Sequence, residues 1–318
     1  MNKKFYYALL VLVSLFAINA NGAPWAYSVN SDSGSSNEDS LYQINLATGE
    51  DHRKGELISV ALYDHIDTEG LAFDSDNTLW GIDDSTLTLF PINTVSGAIP
   101  FGEIIDVSTV FPLGGANDFG MTFSCDNSLY VTSVTTDTLY RIDLDAGSQE
   151  VIGALGANIS AIAAIGSPTK LYGLGNGQFE NGDTDSPDLY SIDVSTGAAT
   201  LIGPLGSEAG EYDQGGLAFD SDGILWAITD RRTIDNQPSQ ILRIDVDTGT
   251  ATLVSTTGEV GFESLAIGPP TACSITRSTD DDDEDEFPRI PTLSQSGRLL
   301  AIFVLMLAGM LILRKRIS

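Results

Sequence analysis

The stretch "LYSIDVSTGAATLIG", residues 189–203, alternates apolar and polar side chains, turns through Ser-Thr-Gly, and resumes in a second β-prone run. Alternation with period two is the pattern of a half-buried strand, and glycine supplies the positive φ a tight hairpin needs. The chain repeats this sentence. "LYQINLATGE" occupies 41–50, "LYRIDLDAGSQEVIG" 139–153 and "ILRIDVDTGTATLVS" 241–255, with a degenerate copy, "LFPINTVSGAIPFG", at 89–102. The turn glycines Gly49, Gly97, Gly147, Gly197 and Gly249 follow one another at intervals of 48, 50, 50 and 52 residues.

A second motif alternates with the first. "EGLAFDSDNTLWGID" covers 69–83, "FGMTFSCDNSLYVTS" 119–133 and "GGLAFDSDGILWAIT" 215–229, with a weaker copy, "SAIAAIGSPTKLYGL", at 160–174. Each reads as strand, Asp/Asn/Gly turn, strand. Four short strands in a period of roughly fifty residues mark a β-propeller blade. The expected fold is therefore all-β, a five-bladed propeller over residues 25–270. The first hairpin has only "PWAYSVN" before it, so its innermost strand must come from elsewhere. "FESLAIG", 262–268, matches "EGLAFD" and has no hairpin after it. It is expected to pair with the N-terminal blade and close the ring, leaving no open sheet edge.

The two ends read as addresses. Residues 1–22, with two lysines, an apolar run and then small residues, form a signal peptide for signal peptidase. Residues 274–289 carry "TDDDDEDE", an acidic spacer too charged to fold. A transmembrane helix is expected over 298–313, short for a ~30 Å hydrocarbon core, with Arg314, Lys315 and Arg316 on the cytoplasmic side. The propeller then lies beyond the inner membrane.

The segment "IPTLSQSGRLLAIFVLMLAGMLILRKR", within residues 290–318, resembles the IPTL-CTERM sorting signal of Gram-negative bacteria. Ile290, Pro291, Thr292, Leu293 and Gly297 carry the resemblance, while Gln295 and Ser296 stand where that family usually has Glu-Trp. The resemblance implies an exosortase-type sorting enzyme as partner, with processing to the cell surface or extracellular space; a plain membrane anchor has the same topology.

Chemistry is sparse. The only histidines are His52 and His65, and no catalytic triad, zinc cluster or phosphate loop is legible. The formal net charge of −29 excludes a nucleic-acid partner. Carboxylates remain. Aligning the copies puts Glu69 and Glu263 at one position of neighbouring blades, with Asp118 one residue upstream in its blade and Asp213 and Gln214 close by. Glu69, Asp118, Gln214 and Glu263 are the candidate ligands of Ca²⁺ or another divalent cation, which prefers oxygen donors. This layout loosely resembles propellers of the lactonase type, within a broader likeness to YVTN-type and quinoprotein-type propellers, and implies a metal-dependent hydrolase as one function. The other is a non-enzymatic scaffold binding a protein or glycan through long loops at 30–40, 175–188 and 229–240. All three join a second strand to a third, so all lie on one face. Trp80 and Trp226, with Tyr130 and Tyr172 at the matching sites, are expected to pack between blades. The only cysteines, Cys125 and Cys273, are a candidate disulfide stapling the chain's exit across one face.

Overall fold

The computed structural model describes residues 23–31, 33–58, 67–100, 102–108, 118–144, 148–177, 187–234 and 236–273. The signal peptide, the acidic spacer, the sorting segment, the helix expected over 298–313, His65 and Gly147 lie outside the described residues. Among the described residues, no helix is long and apolar enough to cross a membrane.

Among the described residues, nineteen strands form five antiparallel sheets, each built from consecutive strands. Blade one holds β1 (Trp25–Val29), β2 (Ser40–Asn45) and β3 (Asp51–Glu56). Blade two holds β4 (Thr68–Phe73), β5 (Leu79–Asp83), β6 (Thr88–Ile92) and the short β7 (Ile105–Asp106). Blade three holds β8 (Phe119–Phe123), β9 (Leu129–Ser133), β10 (Thr138–Asp143) and β11 (Ser148–Ala154). Blade four holds β12 (Ile159–Ile165), β13 (Lys170–Gly175), β14 (Asp188–Ile192) and β15 (Ala199–Pro204). Blade five holds β16 (Gly215–Phe219), β17 (Leu225–Arg231), β18 (Gln237–Ile244) and β19 (Ala251–Thr256). The repeat predicts a strand over 262–268. The segment instead makes one isolated bridge, Tyr27 to Ala266, with N···O distances of 2.7 and 2.9 Å. Ser264 explains part of the difference. Its hydroxyl accepts from the Val29 amide at 3.1 Å, and its carbonyl accepts from the Ser28 hydroxyl, so side chains replace rungs of a longer ladder.

The apolar faces of the blades make five clusters, and each lies between two successive blades. Val29 and Leu41 of blade one meet Leu71 and Phe90 of blade two. Trp226 and Ile228 of blade five meet Tyr42 and Ile44 of blade one. Both faces of every sheet are thereby buried against a neighbour, which is why inner strands read as near-continuous apolar runs rather than clean alternation.

The recurring Thr-Gly turn has a second cause beyond its φ. In each interface that the described residues show, it presses on the outer strand of the preceding blade. A Cβ at Gly97 would sit 2.6 Å from the Gly55 carbonyl oxygen, and one at Gly55 would sit 2.0 Å from the Ser96 oxygen. The same contact joins Gly197 to Gly153 and Gly249 to Gly203, and Gly49 of blade one to Thr256 of blade five. The outer strands also carry a bulge at one register, opposite Leu41 and Tyr42, Leu139 and Tyr140, Leu189 and Tyr190, and Ile241 and Leu242 of the neighbouring strands. A bulge twists a sheet edge away from foreign pairing.

The Asp-Ser-Asp turns are held by their first residue. Asp74 accepts the amides of Asp76 and Thr78 at 3.0 and 2.8 Å and the Trp80 indole N–H at 2.9 Å. Asp220 does the same for Asp222, Ile224 and Trp226. Trp226 is buried, with the Arg243 guanidinium 5.6 Å from its ring centre. These tryptophans are packing residues with satisfied N–H groups. In "DVDTG", Asp245 accepts the Asp247 and Thr248 amides, so the turn alone accounts for it.

Candidate functional site at the acidic end of the axis

The inner strands surround a narrow axis whose two ends differ. At one end, Glu69, Ser160 and Glu263 line a cavity of about 10 Å³, with Gly70, Gly120, Ala161, Gly216 and Ser264 packed beside them. The small residues let the strands approach. A Cβ at Gly216 would come within 2.3 Å of the Leu265 amide nitrogen, and one at Gly120 within 2.9 Å of Ala161 Cα. At the other end, Phe73, Phe123, Ala164, Phe219 and Ile267 line a cavity of about 30 Å³, and Pro269, Pro270 and Thr271 lie against it.

That second end is strapped. Beyond Ile267 the chain runs past the axis to blades three and four. The Gly166 amide donates to the Thr271 carbonyl at 3.0 Å, and Cys273 is disulfide-bonded to Cys125, with Cα atoms 5.4 Å apart. The bond spans 148 residues of sequence.

The first end is acidic. Glu69 and Glu263 sit at equivalent positions, 6% and 2% exposed. Burial, and then the carboxylates of Glu263, Asp118, Asp67 and Asp84, hold the Glu69 carboxyl well above the usual range. The cause is direct: an anion loses hydration and meets only like charge. The Ser31 hydroxyl lies 3.1 Å from Glu263 Oε1 and 3.3 Å from the Thr68 carbonyl, tying blade one to blade two at this level. Asp67 lies two residues before Glu69, just ahead of β4, and Glu69 sits where the register of β4 on β5 shifts between Thr68 and Gly70. The Asp84 amide donates to the Asp67 carbonyl at 3.0 Å, drawing Asp84 to the same corner. Oxygens of Asp67, Glu69 and Asp84 all lie within 4.8 Å of one another. Asp83 has a structural task, accepting the Asp67 and Thr86 amides.

The four ligands expected from sequence are thus only partly assembled. Glu69 and Glu263 line the same cavity. Asp118, although buried, lines a separate rim cavity of about 430 Å³ with Val134, Asp137 and Asn158. Gln214 lies outside the axial cavity, where Gly215 takes its place, and the Gln214 carbonyl serves the Asp230 amide. Asp118 and Gln214 each fall one residue short of the Glu69 position, and the ladders differ there: Glu69 and Ser160 sit where the inner strand's register shifts, which re-aims a side chain, whereas β8 and β16 pair without a shift. Asp67, Asp84 and Ser160 are additions that the structure makes to the expected set. Ser160 has a signal in the repeat, since "SAIAA" aligns with "EGLAF".

His52 stacks on Trp25 with ring centres 5.4 Å apart and stands 3.5 Å from Glu50, in an exposed outer strand away from the axis.

No protein-family model matches the chain, and no curated protein matches it. Solved structures do. Hydrazine synthase from Kuenenia stuttgartiensis matches at 16% identity and TM-score 0.40, over 58% of this chain and 47% of that one. Virginiamycin B lyase from Staphylococcus aureus matches at 20% identity and TM-score 0.41, over 74% and 71%. A chain of a nidogen/laminin complex matches at 11% identity and TM-score 0.46, over 71% and 76%. The blade count rests on strand pairing and not on these likenesses, and none of them bears on a ligand.

Proposed function

We propose that the protein is an exported, non-enzymatic β-propeller that binds a protein or glycan through the face bearing the acidic end of the axis. One observation carries this reading. The acidic end and the connections from second to third strands share a face, while the opposite end of the axis is apolar and strapped. Loops on a rigid scaffold are where recognition concentrates.

The ends of the chain supply the route. The leader is removed by signal peptidase, and the segment after residue 298 pauses in the inner membrane. An exosortase-type enzyme then cuts near Ile290–Leu293, passing the propeller to the cell surface or beyond. A second reading, metal-dependent ester or lactone hydrolysis, draws its support from the carboxylates around Glu69.

The test uses the chain purified from its producing cells, first weighed by mass spectrometry and then applied to a glycan array and to immobilised exopolysaccharide from the same cells. Processing predicts the mass of a mature chain ending near residue 293; a product ending at Ser318 in the inner-membrane fraction refutes it. Binding predicts retention of at least one probe, lost when residues 177–187 are replaced by a short Gly/Ser linker and the melting temperature is unchanged. Retention that survives replacement overturns the scaffold reading, and turnover of an ester or lactone abolished by Glu69→Gln puts hydrolysis in its place.

A further inference from the structure

We propose that a cleft between blades two and three, beside Trp80, binds a neutral saccharide. It lies at the strapped end, where Asn127 is two residues from Cys125, so the site stands whether or not the acidic face binds a ligand.

Three observations converge. The first is room. The cleft has a volume of about 560 Å³, within the range of roughly 300–1,000 Å³ typical of small-molecule sites. It opens beside the shortest outer strand. β7 has two residues and pairs only with Thr88 and Leu89, whereas β3, β11, β15 and β19 have six or seven.

The second is an uncovered ring. The residues equivalent to Trp80 in the other blades are Tyr130, Tyr172 and Trp226. Tyr130 and Trp226 are buried, and the Arg243 guanidinium lies over the Trp226 ring. Tyr172 packs edge-on against Phe219, with ring centres 5.5 Å apart. Trp80 packs into the cluster between blades two and three yet stays half-buried, in the wall of the cleft. Its indole N–H is already donated to Asp74, so what it offers a ligand is apolar ring surface.

The third is the mixture of polar groups. Asn127 accepts the Ser75 amide through Oδ1 at 3.0 Å, which leaves its NH2 group as a donor. Arg141 adds donors, and Asp76 and Glu150 add acceptors. A sugar hydroxyl both donates and accepts, and the C–H face of a pyranose ring is apolar, so a saccharide matches this lining. An anion would meet carboxylates. A cation would meet Arg141 and find three of the five lining carboxylates already engaged: Asp74 by two amides and the indole, Asp126 by Ser124, Glu150 by Arg141.

The test uses the full chain and free disaccharides at millimolar concentration: cellobiose, maltose, lactose and N,N′-diacetylchitobiose, with digalacturonate and trilysine as charged comparators. Saturation-transfer NMR is expected to show contact with at least one neutral disaccharide, and titration of the same signal gives its Kd. Trp80→Ala should weaken that Kd about tenfold. Asn127→Asp keeps an acceptor for the Ser75 amide and a residue type that tolerates the left-handed φ of 63°, and removes the NH2 donor. It should weaken binding about fivefold at an unchanged melting temperature, and it reads the same site if Trp80→Ala folds poorly. Replacing residues 177–187 by a Gly/Ser linker should leave the Kd unchanged. No transfer to any neutral disaccharide, a Kd unaltered in Asn127→Asp, or loss of binding with the 177–187 linker overturns the site. Tighter binding of digalacturonate or trilysine than of any neutral disaccharide overturns the ligand class.

Discussion

The two ends of the propeller axis are built from the same repeat and have opposite characters. At the strapped end, Phe73, Phe123 and Phe219 fill the space between inner strands. At the other end, four residues earlier in each inner segment, the side chains are Glu69, Phe119, Ser160 and Glu263, with glycine at 215. Phe119, buried in the cluster between blades two and three, turns that strand's residue into packing. One end therefore devotes its positions to apolar burial, and the other gathers carboxylates and a Ser160 hydroxyl with no partner among the described residues. Regularity at the first end is what packing selects.

If this division is right, variants at the two ends should part company. Phe123→Ala removes a ring that is 2% exposed from the base and should cost about 3–5 kcal/mol in urea unfolding. Ser160→Ala should cost nothing, since the hydroxyl it deletes has no partner among the described residues. Equal losses at both positions would break the comparison. The strap comes next. Cys125→Ala/Cys273→Ala releases a loop of 148 residues and should lower stability by about 2–4 kcal/mol in urea unfolding. Mass with and without reductant checks the bond itself.

The smallest expected effect is a pH dependence near the strap. The Ser124 hydroxyl, donating to Asp126, holds that carboxyl below the usual aspartate range. A carboxyl depressed in the folded state adds stability above its unfolded value of about 3.9. That contribution disappears as pH falls through the lower folded value. Asp126 is exposed, so solvent screening leaves roughly a few tenths of a kcal/mol. Ser124→Ala should shrink the stability difference between pH 5 and pH 2.5 by that amount in thermal melts. A larger shrinkage would mean that Asp126 bears on the strap.

Much of the site is visible once the repeats are aligned, because equivalent positions in equivalent blades share a height along the axis. That argument places Glu69 and Glu263 together. It fails for Asp118 and Gln214, which lie one residue away in blades whose inner strands lack the register shift found at Glu69 and Ser160. It does not find Asp67 and Asp84, which are seventeen residues apart in sequence and meet because β4 and β5 pair and their ends extend the ladder.

Read as residues alone, the chain already specifies the number of blades, the strand pattern within each, the face on which the longest connections emerge and the shared position of Glu69 and Glu263. These are local properties, written in side-chain period and turn chemistry and repeated five times. Packing between blades settles the rest: that the segment 262–268 makes a single bridge, that the Thr-Gly turns need glycine for close approach, and that Ser160 lines one cavity of about 10 Å³ with Glu69 and Glu263. The distinction is one of range. Periodicity reports what a residue does within its own sheet, whereas cavity size, missing partners and like-charge crowding depend on how neighbouring blades stand against one another.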